Sequence, residues 1–403
     1  MSLTIAAVAT RRIDDPLPTN VQHLMTRLAS YFPVVYIEPP ADLLYLLRKP
    51  RFFVRFFSKP SAASLRLKIP ILLPFGHRFA RIKKINQRLR LAQMRRFLRS
   101  KTKAPLILWL FSPRDFDLIG RLPAQKIYFH VTDDYTAFPI QAALGTPSQI
   151  RCRENFIGKK ADRIFVTSQY LADLKPQWAA KIQLVSNVAD VRHFAQAQSG
   201  CTPIPPEVAC IPKPLVGFIG AVDQYKVDFD LIRYCAEDNP SFSFVFIGPV
   251  GRGDDTAPGS LPLNKNIHYL GEKPYAQLPH FLKAFDVGLI PYRLTGYTQA
   301  CFPLKLYEYL AAGKPVVATN LPAVGHHRDL VRVGANPAEF SQFIRQALQD
   351  DSPKRIAARQ MAAQKNSWER RIEQFKSILL KDAIEMNQPA AGDQKRNDPA
   401  GRI

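Results

Sequence analysis

The sequence FPLKLYEYLAAGKPVVAT occupies residues 302–319. It predicts a helix followed by a buried strand. Pro303 stands where a first-turn proline is tolerated, and Gly313 stands where a helix most often ends. The run Val316-Val317-Ala318 is short, apolar and rich in β-branched residues, which favours an interior strand of a parallel sheet.

The polar side chains of the predicted helix lie on one of its faces. Lys305, Glu308 and Tyr309 are spaced i, i+3 and i+4, so we expect them on one side of the helix. A positive charge near a helix N-terminus does not favour the helix dipole. We therefore interpret Lys305 as a residue that holds an anion, which free backbone N–H groups also attract. A carboxylate one turn later can accept hydrogen bonds from sugar hydroxyls.

This string resembles the nucleotide-binding segment of bacterial GT-B glycosyltransferases, similar to the glycosyltransferase family 1/4 C-terminal domain. In that family the Lys approaches the donor diphosphate and the Glu grips the ribose, which the resemblance implies for Lys305 and Glu308. It also implies an α/β chain of the GT-B fold, with two Rossmann-like α/β/α domains facing a cleft. The alternative is an ordinary helix–strand unit of a Rossmann sheet that carries a Lys and a Glu by chance.

Length and composition fit two soluble domains. A chain of 403 residues allows two domains of about 150–200 residues each. The five cysteines have no metal-ligand spacing, so we expect reduced thiols and no zinc site. Residues 2–10 predict a first strand rather than a signal peptide, and no apolar run approaches the ~18 residues of a spanning helix. We expect a cytoplasmic protein.

The charge is strongly positive and uneven. The chain has 56 Lys and Arg against 33 Asp and Glu, a net charge of +23. Residues 43–114 contain no Asp or Glu and 19 Lys and Arg. Such a window implies an anionic partner, which is nucleic acid, anionic lipid or a phosphorylated substrate.

The apolar residues of this basic window favour a membrane over nucleic acid. Leucines at 43–47 and the aromatic run FFVRFF at 52–57 lie beside the basic residues, the composition of an interfacial segment. For residues 78–99, an interfacial amphipathic helix and a basic helix packed on its own domain remain equal alternatives. No helix-turn-helix, RRM or zinc-finger pattern is present. We expect an anionic membrane surface on the inner face of the cell membrane as partner, and no nucleic acid.

The order of predicted strands and helices divides the chain. Alternating strands and helices occur on both sides of a Pro-rich stretch, as expected for two parallel sheets. The predicted parts are an N-terminal acceptor domain at 1–195 with the basic membrane-facing insertion at 43–103, a linker at 196–214, a donor domain at 215–366, a crossover helix at 367–382 and a disordered tail at 387–403.

Further candidate donor residues stand at strand ends in the second half. Gly220 follows a predicted strand and would let a phosphate approach the backbone, and Lys226 adds a charge. GAVDQYKVD at 220–228 resembles the family element G-x-x-x-x-Y-K-V-D, and Tyr292 matches a Pro-Tyr position near the donor. The resemblance thus implies a donor site of Gly220, Lys226, Tyr292, Lys305 and Glu308.

A candidate base comes from the first domain. Relatives that act with retention carry two glutamates with seven residues between them. In this chain Glu308 is the second of the two, and Ala300 occupies the position of the first. The chain is therefore more similar to xanthan-type inverting glucuronosyltransferases, in which a strand-end Asp is the base. Asp133, in YFHVTD at 128–133, matches that residue. Asp133 and Asp134 should point to opposite faces, and either could instead cap a turn.

These observations lead to one function and its alternatives. We expect an inverting glycosyltransferase that moves a sugar from a nucleotide-sugar donor to a lipid-linked or polysaccharide acceptor in cell-surface polysaccharide or glycolipid synthesis. No Asp-x-Asp occurs, so we expect neither a metal nor another cofactor besides the donor substrate. The alternatives are a retaining transferase of the same fold, a nucleotide-sugar epimerase, and a basic nucleic-acid-binding protein.

Overall fold

The structure is a computed structural model that describes residues 3–15, 18–48, 64–76, 78–101, 104–138, 145–251, 261–349 and 351–388. The aromatic run at 52–57 lies outside these ranges. So does the predicted tail, apart from Asn387 and Gln388.

The strands fall into two large parallel sheets and one short pair. Their bounds are β1 Thr4–Val8, β2 Val34–Ile37, β3 Ala41–Asp42, β4 Leu65–Lys68, β5 Ile71–Leu72, β6 Leu106–Leu110, β7 Lys126–Val131, β8 Arg163–Val166, β9 Ile182–Leu184, β10 Leu215–Ile219, β11 Ser243–Ile247, β12 Ile267–Tyr269, β13 Val287–Ile290, β14 Val316–Thr319 and β15 Val331–Gly334.

The helices cover both faces of each sheet. Their bounds are α1 Asn20–Leu28, α2 Leu43–Arg48, α3 Ala80–Lys101, α4 Pro147–Lys160, α5 Gln169–Asp173, α6 Val191–Ala195, α7 Pro206–Ala209, α8 Phe229–Asp238, α9 Leu278–Ala284, α10 Gly296–Ala300, α11 Lys305–Ala311, α12 Pro337–Gln349, α13 Pro353–Lys365 and α14 Trp368–Asn387. Shorter 3-10 turns lie at Pro113–Leu118, Pro176–Lys181, Gln196–Gln198, Tyr275–Gln277 and Pro322–His327.

The strand order is that of two Rossmann-like sheets. The order is β4-β2-β1-β6-β7-β8-β9 in the first sheet and β12-β11-β10-β13-β14-β15 in the second, within the described ranges. The central strands β1, β6, β10 and β11 are buried along their whole length. A parallel strand that is covered on both faces has a continuous apolar sequence, which explains the composition of these four strands.

Helix α14 leaves the second domain and packs on the first sheet. Its Asp382 is fully buried and accepts hydrogen bonds from Arg163 Nε at 2.6 Å, from Lys126 Nζ at 2.9 Å and from the Tyr128 hydroxyl. Burial alone would raise the pKa of Asp382, but these hydrogen bonds lower it to about 2. The carboxylate therefore stays ionised and ties the end of the chain to β7 and β8.

A second contact between the domains lies just before α11. Ser168 Oγ donates to the Ala300 carbonyl at 2.9 Å, and Asn187 Nδ2 donates to the Phe302 carbonyl at 2.9 Å. Ala300 is fully buried in the core of the first domain. The segment at 302–319 thus begins at the interface between the domains.

No helix in the described part of the chain combines the length and apolarity needed to cross a bilayer.

Candidate functional site

Helix α11 carries the predicted Lys–Glu pair. Lys305 Nζ donates to Glu308 Oε2 at 2.6 Å, and the two side chains are 18% and 8% exposed. The pair lies on one face of the helix, as its i, i+3 spacing predicts. Gly313 follows the helix with φ of +67°, a left-handed conformation that favours glycine at this position.

Two details of the predicted helix are wrong. Tyr309 does not share the face of Lys305, because its ring is fully buried against the backbone of Gly288 and its hydroxyl accepts from Ile219 N at 2.9 Å. Positions i+3 and i+4 are about 100° apart around the helix axis, so Glu308 and Tyr309 lie on opposite sides of Lys305, and Tyr309 is the one turned into the sheet. Pro303 precedes the first turn, since the helix begins at Lys305.

Lys226 and Tyr292 lie together at the ends of neighbouring elements. Arg293 N donates to the Lys226 carbonyl at 2.9 Å, and Val227 forms an antiparallel bridge with Tyr292. Lys226 Nζ is 4.7 Å from the centre of the Tyr292 ring. Thr319 Oγ1 donates to the Tyr292 carbonyl at 2.8 Å, which joins this segment to the end of β14.

Gly220 follows β10 at the same edge of the sheet. A Cβ atom on Gly248 would lie 1.9 Å from the Gly220 carbonyl oxygen, so the two backbones approach more closely than any side chain allows. The carboxyl ends of parallel strands are where open α/β sheets place their ligands. This carboxyl end of the second sheet includes Gly220, Lys226, Tyr292 and the Lys305–Glu308 pair of α11.

Asp133 follows β7 and faces the second domain. Its Oδ1 accepts from Cys301 Sγ at 3.4 Å and its Oδ2 accepts from Thr132 Oγ1 at 3.0 Å. Asp134 has a different environment, because its Oδ1 accepts from Thr136 N at 3.0 Å and from Thr136 Oγ1 at 2.7 Å. Asp134 therefore caps a local turn, whereas Asp133 contacts the residues that lead into α11.

Sequence reasoning missed the residues that surround Asp133. The Tyr297 ring lies 5.6 Å from the Tyr225 ring and 5.1 Å from the Phe138 ring, measured between centroids. Burial raises the pKa of Tyr225 to about 12, and burial followed by the Asp133 charge raises the pKa of the Cys301 thiol. Both groups are protonated at neutral pH. No local pattern indicates them, because they reach Asp133 only through packing of the two domains.

A second unpredicted group bridges the domains beside Glu308. The His23 ring of α1 lies 5.5 Å from Trp368 and 5.6 Å from Tyr275. Burial, with the nearby Arg27, lowers the pKa of His23 to about 4, so its ring is neutral at physiological pH. Burial raises the pKa of Tyr275, and the charge of Glu308 raises it further. The Glu308 carboxylate therefore interacts electrostatically with Tyr275.

Two other histidines, His130 and His327, have structural environments. His130 is 1% exposed among aromatic rings, and burial lowers its pKa to about 3, as expected for a core residue. His327 Nε2 lies 3.0 Å from the Tyr307 hydroxyl. Within the described ranges, no three or more His, Cys, Asp or Glu side chains form a group that could hold a metal ion.

Comparison with known proteins identifies the domain that carries the Lys–Glu pair. Residues 213–350 match the family described as glycosyl transferases group 1. The matched segment contains Gly220, Lys226, Tyr292, Lys305 and Glu308, so the candidate donor residues all lie within it.

A curated relative extends the likeness beyond this domain. The putative teichuronic acid biosynthesis glycosyltransferase TuaH of Bacillus subtilis is 31% identical over 228 residues, which are 54% of this chain and 56% of TuaH. The match thus spans about half the length of the curated relative.

Solved structures match nearly the whole chain. HepE of Anabaena, in complex with UDP and glucose, has a TM-score of 0.66 at 14% identity, covering 94% of this chain and 99% of its own. A sucrose-phosphate synthase from Thermosynechococcus elongatus has a TM-score of 0.70 at 14% identity, covering 95% and 99%. At this identity the likeness shows the fold, and the GT-B prediction is confirmed.

Proposed function

We propose that the chain is an inverting, metal-independent glycosyltransferase that uses a nucleotide-sugar donor. Its acceptor would be a lipid-linked glycan or polysaccharide of the cell surface. The observation that carries the proposal is the Lys305–Glu308 pair, at the ligand-binding edge of a group 1 glycosyltransferase domain. The relatives support it, because TuaH is named for teichuronic acid biosynthesis and the HepE structure contains UDP and glucose.

The donor would separate the Lys–Glu pair. Lys305 and Glu308 neutralise each other at 2.6 Å in a partly buried site, so both charges are already largely removed from water. A diphosphate offers Lys305 a more negative partner, and ribose hydroxyls donate to the freed carboxylate. Lys226, on the neighbouring segment, adds a second positive charge. Such preorganised charges stabilise a leaving diphosphate as it departs.

Asp133 is the proposed base. It approaches from the first domain and contacts Cys301, which lies seven residues before Glu308. An inverting transfer needs one carboxylate to take the acceptor proton, with no nucleophile on the donor side. Ala300, at the place of the first acid of retaining relatives, is buried in the core of the first domain and offers no such group.

The experiment that tests donor use is a binding panel. We expect sugars linked to one of UDP, GDP or dTDP to raise the melting temperature of the full chain saturably, by the mass-action relation for a ligand that binds only the folded state. The matching free sugar is the control and should have no effect. If no nucleotide sugar shifts the melting of well-folded protein, donor use is contradicted.

We also propose that the chain binds an anionic membrane surface, and exposed apolar side chains support this. Leu43 and Leu47 of α2 are 44% and 63% exposed, and Phe75 and Phe79 are 47% and 51% exposed. These residues lie in the window that contains no Asp or Glu. Exposed apolar side chains in a basic segment fit the interface of an anionic bilayer, where each basic residue adds about 1 kcal/mol.

Helix α3 combines the two alternatives left open for residues 78–99. Its Met94 and Leu98 are buried on the first domain, whereas Ile85 and Leu89 are 45% and 37% exposed. The helix is therefore anchored by one face and presents apolar and basic side chains on the other. That arrangement is compatible with a helix that lies on a membrane surface.

We expect Leu43, Leu47, Phe75 and Phe79, changed together to Ser, to weaken binding to vesicles containing anionic lipid at least tenfold. Full burial of each side chain would contribute roughly 1.5–3 kcal/mol, and partial insertion less. The measurement is co-sedimentation with vesicles, with salt weakening the binding of the unchanged protein without abolishing it.

The matched control changes exposed leucines elsewhere, Leu174 and Leu184, to Ser. Membrane binding is contradicted if the quadruple variant sediments like the unchanged protein, or if that protein prefers DNA to anionic lipid at physiological salt. The aromatic run at 52–57 carries the same prediction but lies outside the described residues.

A further inference from the structure

The chain crosses from the core of the first domain to the core of the second within residues 300–302, the crossing segment. Ala300 is fully buried among side chains of the first domain, whereas Phe302 packs in the core of the second. Helix α11 begins three residues later, at Lys305. The connection is short and stiff, because Pro303 has a fixed φ and its carbonyl accepts a hydrogen bond from the first turn of α11 at 3.1 Å. A displacement of Phe302 therefore displaces Lys305 as well.

Side chains of the first domain hold the crossing segment at each of its residues. Ser168 Oγ and Asn187 Nδ2 donate to the carbonyls of its first and last residues, each at 2.9 Å. Its middle residue, Cys301, donates from Sγ to Asp133 Oδ1 at 3.4 Å. The segment that leads into α11 is thus bonded directly to the residue proposed as the base.

Asn187 is the residue best suited to hold this contact closed. Its side chain is buried, its Nδ2 donates to the Phe302 carbonyl, and its Oδ1 accepts from Asn20 Nδ2 at the start of α1. Both ends of the amide are therefore used. Without this amide the buried Phe302 carbonyl would lose its donor, which favours separation of the crossing segment from the first domain. Ser168 has a further role, because its Oγ also accepts from Leu171 N at 3.2 Å and caps α5.

We propose that Asn187 is a positioning residue for glycosyl transfer. By holding the Phe302 carbonyl on the first domain, it fixes the position of α11, and so of Lys305, relative to Asp133. This role rests on the proposed function, in which Lys305 contacts the leaving diphosphate and Asp133 is the base. The two groups belong to different domains and must act on one donor–acceptor pair, and a misplacement of about 1 Å can cost on the order of 100-fold in rate. Donor binding should not depend on Asn187, because Lys305 and Lys226 both belong to the second domain.

The five cysteines report on this contact without an assay of transfer. Cys152, Cys201 and Cys210 are exposed, whereas Cys235 is buried in the core of the second domain and Cys301 is buried in the contact. Burial raises the pKa of the Cys301 thiol and shields it, so its alkylation should require opening of the contact. Alkylation of Cys235 should instead require unfolding of the second domain.

The test is the rate of alkylation of each cysteine by iodoacetamide in the full chain, measured by peptide mass spectrometry. We expect Asn187→Ala to raise the rate at Cys301 roughly 5–150-fold, because a buried carbonyl loses its donor, and to leave the rate at Cys235 unchanged. Asn187→Asp should act in the same way, since it keeps the acceptor for Asn20 and removes the donor. The matched control, Asn266→Ala, removes an amide that donates to three carbonyls within the second domain, and should leave the rate at Cys301 unchanged.

Steady-state kinetics separate positioning from donor binding. Both Asn187 variants should lower kcat by about tenfold or more, while the affinity for the nucleoside diphosphate stays within about twofold. The positioning role is overturned if Cys301 reacts no faster in these variants, if alkylation of Cys235 accelerates as much, if the control variant has the same effect, or if the kcat of an active enzyme is unchanged. Absence of transfer by the unchanged protein instead contradicts the proposed function itself, and the positioning role falls with it.

Discussion

Asp133→Asn is expected to lower the turnover of glycosyl transfer by about 10²–10⁴-fold while donor affinity stays nearly unchanged. Asparagine has the shape of aspartate and keeps an oxygen that can accept from the Cys301 thiol or from Thr132 Oγ1. It cannot take a proton from an acceptor hydroxyl. The loss should therefore fall on the chemical step, and initial rates together with donor titrations measure the two quantities separately.

Asp134→Asn is the matched control for this prediction. Asp134 is adjacent in sequence, but its carboxylate is used by Thr136 in a local turn. We expect that variant to retain most of its turnover. Substantial transfer by Asp133→Asn, or an equal loss in Asp134→Asn, would remove Asp133 from the role of base.

The local part of the candidate site could be predicted from the sequence because it depends on helix geometry. Lys305 and Glu308 are three residues apart, and any helix brings such a pair together. The left-handed Gly313 is predictable for the same reason, since the end of a helix favours a residue without a Cβ. Neither feature requires knowledge of how the domains pack.

The parts that were missed depend on contacts between distant segments. Asp133 and Cys301 are 168 positions apart and meet only because the segment before α11 docks on the first domain. The inward orientation of Tyr309 depends on the space that Gly288 leaves in the neighbouring strand. Local periodicity contains no information about either contact.

The basic character of the chain was also predictable only in part. The acid-free window at 43–114 is visible in the sequence, and so is its mixture of leucine and arginine. The four arginines that line one small cavity of the second domain, Arg328, Arg332, Arg355 and Arg359, are not recognisable there as a group, because they are spread over 31 positions of the sequence.

Lys305→Ala is expected to weaken binding of the nucleoside diphosphate by roughly 10–100-fold. A hydrogen bond to a charged group contributes about 1.5–3 kcal/mol, and each 1.4 kcal/mol changes an affinity tenfold. Binding of the nucleoside alone should change little, because it has no phosphate for Lys305 to contact. Lys354→Ala, at an exposed position of the same domain, is the matched control and should leave both affinities unchanged.

We propose that α11 holds the diphosphate of a sugar donor through Lys305. The most direct measurement is the ratio of the nucleoside diphosphate affinity to the nucleoside affinity, in the unchanged protein and in Lys305→Ala, by calorimetric titration with the nucleotide selected in the binding panel. We predict that the ratio falls by at least tenfold in the variant. An unchanged ratio, with both ligands weakened equally or neither weakened, would contradict the claim.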